Sequence, residues 1–201
     1  MNTLKAEKRS KDIKAKRLRR EGFVTGNVFG KKIEGSIPVK MAATDVERLM
    51  KTDNKGSQIM LDVDGESYDV LIKEVSYNSM ASRFDEIDFQ ALVSDEKVHS
   101  VAEVVLLGHD KVTEGVIEEK LNEISYRALP AALVDKVKID LSQMRIGDVI
   151  RVKDLDIYKN PDVDVLSNPE AVVVEINAVH MKAEDIAAEE EEAAAADAEK
   201  K

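Results

Sequence analysis

The strongest constraint on the fold is a pair of runs in which apolar and polar residues alternate. Gln58–Val63 and Ser67–Val75 each have the period of two that is typical of a half-buried strand. The residues between them include Asp64-Gly65, a pair favoured in tight turns between antiparallel strands. This stretch therefore predicts a β-hairpin.

Other short elements surround the hairpin in the first half of the chain. Phe23–Phe29 and Ile87–Val93 read as strands, and the stretch between the hairpin and the second of them, Tyr77–Asp85, reads as a loop. Ile37-Pro38-Val39 predicts an edge strand, because proline cannot donate a hydrogen bond within a central ladder.

One helix is predicted in the same half. Thr44 to Glu47 has the spacing of a capping box, and Val46, Leu49 and Met50 follow at helical spacing, so we expect a short helix that ends near residues 54–56. Several short strands with one helix predict a small barrel or sandwich over residues 1–93.

The second half is also rich in predicted strands, after a linker at residues 94–97. Val116–Tyr126 fits either a helix or a strand, and four runs read as strands: Val98–Leu107, Val137–Leu141, Val149–Val152 and Val172–Ile176. We predict a mainly β protein with short helices (α+β), with one domain at 1–93, a β-rich domain at 94–182 and an acidic, disordered Ala/Glu tail at 183–201.

Charge is distributed unevenly along the chain. The first twenty residues hold nine Lys and Arg against Glu7 and Asp12, a net charge of +7, although the whole chain has a formal charge of −10. With few apolar residues, this basic arm is expected to be solvated or to meet something negative rather than to join the core. Lysine and arginine neutralise phosphates, so nucleic acid is the favoured partner; a membrane-surface helix would need a large apolar face that the arm lacks.

The sequence offers no support for catalysis, a cofactor or a metal. It has no cysteine, which excludes disulfides, thiolate metal sites and a cysteine nucleophile. His99, His109 and His180 do not share a metal-ligand spacing, and no phosphate-cradling glycine loop or nucleophile elbow is present. The N-terminus lacks the apolar segment of a secretory signal, and the longest apolar run is too short to span a membrane, so we expect a cytoplasmic protein.

Three blocks of sequence resemble a known family. Arg9, Lys14 and the run from Lys16 to Gly22, followed by Phe29-Gly30, resemble the opening signature of the bacterial large-subunit ribosomal protein twenty-five family, which binds 5S ribosomal RNA. Ile87-Asp88-Phe89 resembles the motif that closes the same domain. The second half resembles the extra domain of the long form, the general stress protein Ctc, in four stretches: Gly115–Glu119, Leu129-Pro130, Val137–Ser142 and Ile146–Leu155.

The resemblance implies a structural, non-catalytic protein of the large ribosomal subunit, with a β-barrel on 5S rRNA and a second domain that extends over the subunit. Its implied neighbours are 23S rRNA and other ribosomal proteins; the protein is expected to be a monomer within the ribosome and to have no membrane partner. The candidate RNA-binding residues are Arg9, Lys14, Lys16, Arg17, Arg19, Arg20, Phe29 and Asp88.

Alternatives remain open at this point. Phe29 stands where the family usually has tyrosine, and Glu86 where it usually has histidine. Phe29 could instead be a core residue, and Asp88 a cap of a turn or strand end. The whole chain could be a stress-linked regulator or chaperone acting off the ribosome, or an accessory module resembling a transfer-RNA anticodon-binding barrel.

Overall fold

The structure is a computed structural model that describes residues 2–10, 12–31, 33, 35–111, 115–142 and 144–178. The acidic tail predicted at 183–201 and His180 lie outside the described residues. In the first half, six strands close into a barrel in the order β1-β3-β2-β6-β5-β4. The strands are β1 (Thr3–Lys8), β2 (Phe23–Phe29), β3 (Ser36–Ala42), β4 (Gln58–Val63), β5 (Glu66–Asn78) and β6 (Arg83–Ala91).

The predicted hairpin is confirmed. β4 and β5 are antiparallel and Val63 faces Glu66, so that Asp64 and Gly65 form the two-residue turn, with φ of 52° and 92°. Positive φ at both positions is what this kind of turn requires. The loop expected at Tyr77–Asp85 is wrong, because both strands continue and only residues 79–82 connect them. Tyr77 and Phe84 stabilise the extension, with ring centroids 5.0 Å apart in an edge-to-face contact.

The expectation that the basic arm stays out of the core is also wrong. Its first part is β1, which pairs in parallel with β4 and antiparallel with β3 and thereby closes the barrel. Leu4 and Ala6 alternate with charged residues and are buried inside. The arm's second part forms a short helix, α1 (Ala15–Arg20), in which Leu18 is buried. Three well-placed apolar residues are enough to anchor an arm whose other side chains are mostly charged.

The edge strand predicted at Pro38 lies inside the barrel wall, because β3 is paired on both sides. The Pro38 carbonyl accepts a hydrogen bond from the Arg9 backbone N–H at 2.8 Å, so this residue's backbone groups point toward β1. The β1–β3 ladder stops at Lys8 and Val39. The missing proline N–H therefore falls just past the end of that ladder, where only the return bond to the Arg9 carbonyl is absent.

A helix follows β3 as predicted, but its limits differ. α2 (Ala43–Leu49) is preceded by Ala42 and has no side-chain cap, so the capping box expected from Thr44 does not form. The helix ends at Leu49, several residues before the predicted end. Val46 and Leu49 are buried in the barrel core, and α2 contacts β1, β2, β3 and β6. α2 is therefore held by tertiary packing rather than by a cap.

The second half contains two sheets, and the ambiguous stretch Val116–Tyr126 contributes strands to both. One sheet has the order β10-β7-β9-β12 and the other β11-β13-β8. The second half contains one short helix, α3 (Asp156–Lys159). Its two shortest strands are β11 (Val149–Arg151) and β12 (Val163–Val165). The remaining strands are β7 (Val98–Leu107), β8 (Val116–Glu119), β9 (Glu123–Ala128), β10 (Lys136–Asp140) and β13 (Val172–Asn177), with 3-10 turns at His109–Lys111, Pro130–Ala132 and Val152–Asp154.

The two halves have separate apolar cores. One cluster fills the barrel and includes Phe89 and Ile59, and the other fills the second half and includes Tyr126 and Leu141. The predicted fold class, a mainly β protein with an N-terminal barrel and a β-rich second part, is confirmed. None of the helices in the described ranges is long and apolar enough to cross a bilayer.

Candidate nucleic-acid interface

Helical geometry sorts the cations of α1 onto different sides. Leu18 faces the barrel and is 3% exposed. Lys16 and Arg20 are four residues apart, so they project together on the side of the helix away from Leu18. Both are exposed, and neither forms an ion pair with a residue that the structure describes. We call these two side chains the outer ridge; Lys14 is exposed at the N-cap of the helix.

Arg17 and Arg19 are already engaged within the protein. Arg17 is exposed, and its Nε donates to Glu21 Oε1 at 2.8 Å; this hydrogen bond raises the pKa of Arg17. Arg19 is half-buried, and its Nε donates to the Asp85 carbonyl at 3.0 Å. Its guanidinium also lies 3.8 Å from Glu86 Oε2. Arg19 therefore fastens α1 to the barrel and partly neutralises Glu86, the acid that stands where the family usually has histidine.

Arg9 organises the connection between β1 and α1. Its Nη2 donates to the Ile13 carbonyl at 3.1 Å, and its Nε is buried without a partner among the described residues. This side chain therefore folds back onto the loop rather than extending freely. The family resemblance places it among the RNA contacts, and the structure gives it a local structural contact as well.

Phe29 and Asp88 lie on the outer face of the wall formed by β2 and β6. These strands run parallel, with Val28 opposite Phe89 and Phe29 opposite Gln90. Val28 and Phe89 point inward and are fully buried, so Phe29 points outward, where it is half-buried. Phe29 is not one of the residues of the barrel core, which leaves one side of its ring available to a partner.

Asp88 occupies a position inside β6, not a turn or a strand end. Its Oδ1 accepts hydrogen bonds from the backbone N–H and the side-chain amide of Asn27, at 3.0 and 3.1 Å. Its Oδ2 has no hydrogen-bond partner among the described residues. One oxygen thus supports the wall, and the other can accept a hydrogen bond from outside, such as one from a ribose hydroxyl.

Gly26 brings these groups together by allowing a close approach of two strands. A Cβ at this position would lie 1.9 Å from the Ile87 carbonyl oxygen. Gly26 lies in the middle of β2 and not in a turn. The resulting face, from α1 outward, places three pairs in a row: Thr25 with Glu86, Asn27 with Asp88, and Phe29 with Gln90. We call this row the β2–β6 face.

Asp85 is the anchor between α1 and this face that sequence reasoning missed. Hydrogen bonds from Asn78 and Arg83, together with the positive charges of Arg19 and Arg83, hold the pKa of Asp85 below its ordinary value. The side chain is 19% exposed. No spacing in the sequence marks Asp85, because its partners come from three separate elements.

Acid should therefore loosen this end of the barrel. A carboxyl whose pKa is lowered by folding stabilises the protein above its unfolded pKa, which is near 3.8, and that contribution is lost as pH falls through the folded pKa. We expect Asp85→Asn to be less stable than the parent at neutral pH but to lose less stability below about pH 4. Urea unfolding between pH 7 and pH 2.5 would measure this, and parallel curves for the two proteins would contradict it.

The arrangement suits binding rather than chemistry. The outer ridge presents positive charge, and the β2–β6 face presents an aromatic ring, an amide and a carboxylate oxygen. In the part of the chain that the structure describes, no group of three or more His, Asp or Glu residues could hold a metal ion. Positive charge beside an aromatic ring and hydrogen-bonding groups is typical of surfaces that bind RNA by shape and backbone.

Comparison with known proteins gives matches over both halves of the chain. Residues 4–89 match the Ribosomal L25p family, and residues 97–180 match the C-terminal domain of ribosomal protein TL5. The large ribosomal subunit protein bL25 of Geobacillus thermodenitrificans is 32% identical over 153 residues, covering 75% of this chain and 72% of the relative. The bL25 proteins of Carboxydothermus hydrogenoformans (32%) and Bacillus velezensis (27%) match over 70% and 77% of this chain and over 71% and 78% of their own lengths.

Proposed function

This chain belongs to the ribosomal L25p family, in the form with a TL5-type C-terminal domain, and from that premise we propose that it is a structural protein of the large ribosomal subunit. The family is structural, so the protein is not an enzyme. Its place of action is then the ribosome in the cytoplasm.

Within that role, the protein binds 5S rRNA through α1 and the β2–β6 face. The observation that carries this proposal is the outer ridge on α1, the helix that contacts β2 of the β2–β6 face. It joins cations that have no ion-pair partner among the described residues to groups that can contact ribose and bases. Lys14, Lys16 and Arg20 supply affinity for phosphates. Phe29 and the free oxygen of Asp88 supply selectivity for a folded RNA helix with an accessible groove.

The remaining candidate residues contribute indirectly. Arg19 and Arg9 hold the helix and its connecting loop in place, and Arg17 reaches RNA by exchanging Glu21 for a phosphate. The sequence alone does not distinguish these indirect roles from direct contact with RNA.

The second half of the chain takes a different part. Its residues 94–182 carry 11 Lys and Arg against 17 Asp and Glu, so its net charge does not favour an extended RNA contact. We propose that it orients the protein on the subunit, next to 23S rRNA or neighbouring ribosomal proteins. We also propose that the boundary between the two domains lies between residues 93 and 94. The loop that follows β6 lies at this division.

A binding assay with two RNAs tests the 5S assignment. The protein should bind 5S rRNA more tightly than a 5S transcript of the same length whose internal loop is replaced by a regular helix. The difference should persist as salt is raised, because shape selectivity does not arise from counterion release alone. Equal affinity for both transcripts at every salt concentration would leave only non-specific attraction and would contradict the proposal.

A further inference from the structure

A cleft opens where the outer wall of the barrel meets the second half of the chain. It has a volume of about 500 Å³ and lies between β5 on one side and β7 and β9 on the other. Its polar lining includes Lys55, Lys73, His99 and Ser125. Its apolar lining includes Leu71 and Val101. None of these residues belongs to the interface already described.

The two sides of the cleft are fastened to each other. Ser100 Oγ donates to the Gly56 carbonyl at 3.2 Å, and Asn54 Nδ2 donates to Glu103. Gly56 has a φ of +91°, and a Cβ there would lie 2.0 Å from the Val101 carbonyl oxygen, so the backbones are in close contact. The cleft is thus a feature of the packed structure and not a gap between loosely joined parts.

Of the two lysines in the cleft, only Lys55 has an ion-pair partner among the described residues. Lys73 is half-buried, and its Nζ donates to the His99 carbonyl at 2.8 Å, a contact that does not neutralise it. Burial, and then the positive charge of the nearby Lys55, lower the pKa of Lys73. Among the described residues Lys73 forms no ion pair, while Lys55 lies 3.6 Å from Glu123 Oε2. The carboxylate of Glu74 lines the cleft as well, whereas Glu123 lies outside its lining.

We propose that this cleft binds a phosphate group between Lys55 and Lys73. A phosphate would relieve the repulsion between the two ammonium groups, and its several oxygens could accept hydrogen bonds from both. The hydroxyl of Ser125 and the ring of His99 offer further partners at the rim. A free nucleotide and the backbone of a bound RNA present the same chemistry, and the test below separates them.

The position of the cleft favours the RNA backbone as the source. Glu74 of β5 lies opposite Asp88 of β6 in the sheet register. Going around the barrel from β2 to β5 crosses two strand spacings, which is about 10 Å. An RNA helix lying on the β2–β6 face could therefore also place a phosphate in the cleft. In this form the inference rests on the proposed function and extends the RNA contact to the junction between the two halves.

The first experiment measures the salt dependence of 5S rRNA binding for the full chain and for Lys55→Gln/Lys73→Gln. Each phosphate contact contributes about 0.7–0.9 to the slope of log affinity against log salt. Both lysines already have protein contacts, so we expect the pair to count as one phosphate contact. The slope should then fall by about one unit, and the affinity near 0.1 M salt should fall about tenfold. Lys51→Gln/Lys138→Gln, which removes two exposed lysines elsewhere, should leave both values unchanged.

A folding control accompanies it, because Lys73 also bonds across the cleft. Lys73→Arg keeps the charge and a donor, so together with an intact Lys55 it should retain the parent affinity. If Lys73→Arg binds as weakly as Lys55→Gln/Lys73→Gln at equal thermal stability, charge at this position is not what holds the ligand, and the proposal is overturned.

The second experiment follows the His99 ring by NMR in the full chain, with His99→Gln identifying its signal. Inorganic phosphate and AMP are titrated against chloride at matched ionic strength. A saturable shift that Lys55→Gln/Lys73→Gln abolishes supports a phosphate site. If the RNA slope also falls, the backbone supplies that phosphate, and if it does not, a free nucleotide does.

The two proposals fail separately. No shift with either probe, and an unchanged slope for 5S rRNA, would overturn the cleft site while 5S binding by the parent stands. Failure of the parent to prefer 5S rRNA would overturn the function, and the NMR titration would still decide the cleft.

Discussion

Lys16→Ala/Arg20→Ala is expected to bind 5S rRNA about 100-fold more weakly than the parent near 0.1 M monovalent salt. At this salt concentration the release of one counterion is worth about 0.9 log units of affinity, and the outer ridge supplies two phosphate contacts. Both side chains are exposed and form no ion pair with a described residue, so their loss should leave the fold unchanged. Affinity should be measured from 0.05 to 0.3 M salt, where the slope should fall by about 1.5.

A charge-matched control decides whether position or net charge matters. Lys51→Ala/Lys138→Ala also removes two exposed cations, one after α2 and one in β10. If the outer ridge binds RNA, this control variant should keep the affinity of the parent and the slope of its salt dependence. Equal losses in the two double variants would mean that the RNA responds only to total charge, and an unaffected Lys16→Ala/Arg20→Ala would remove α1 from the interface.

Two simpler tests suggested by the sequence are less informative in this structure. Deleting residues 1–21 removes β1 and with it Leu4 and Ala6, so the barrel itself would be damaged. Replacing Arg19 by alanine breaks its bond to the Asp85 carbonyl and frees the negative charge of Glu86. Either change would weaken RNA binding even if the affected side chains never touched RNA.

The sequence predicts the parts of the fold that depend on local patterns. The hairpin at Asp64-Gly65 and the long strand β7 follow from alternation and turn chemistry, which act over a few residues. The sequence does not predict β1, because only Leu4 and Ala6 point inward and both lie among charged residues. Pairing with β4 is what places these two side chains in the core. Pro38 was misplaced because the rule for edge strands concerns ladder bonds, and the ladder happens to end beside it.

The candidate site divides in the same way. Charge marks the outer ridge in sequence, and the resemblance marks Phe29 and Asp88. Neither distinguishes Arg19, which faces the protein, from Arg20, which faces solvent, because that difference depends on the rotation of a six-residue helix fixed by Leu18. Asn27 and the Asp85 backbone carbonyl have no local signature, since each bonds to a partner about sixty residues away.

Gly26→Ala is expected to destabilise the protein strongly, by about 3–5 kcal/mol. The new Cβ would lie 1.9 Å from the Ile87 carbonyl oxygen and 3.0 Å from its carbonyl carbon, and both atoms are backbone. To relieve this clash, β2 and β6 would have to separate. Hydrogen bonds oppose that separation on both sides of the contact, from Asn27 to Asp88 and from Thr25 to the Asp85 carbonyl. Since small domains are stable by only about 5–15 kcal/mol, a large fraction of the variant should be unfolded or partly opened at 37 °C.

Gly22→Ala separates this steric effect from the conformational preference of glycine. Gly22 has a φ of +87°, but apart from its chain neighbours no described residue has an atom within 4 Å of the position that an added methyl group would occupy. Alanine there should therefore cost only about 1–2 kcal/mol of backbone strain. Gly26 has no such positive φ, and its whole cost should come from the strand contact. Urea unfolding followed by circular dichroism would give both values. A Gly26→Ala variant as stable as Gly22→Ala would mean that β2 and β6 do not approach closely, and the pairing of Asn27 with Asp88 that shapes the β2–β6 face would lose its basis.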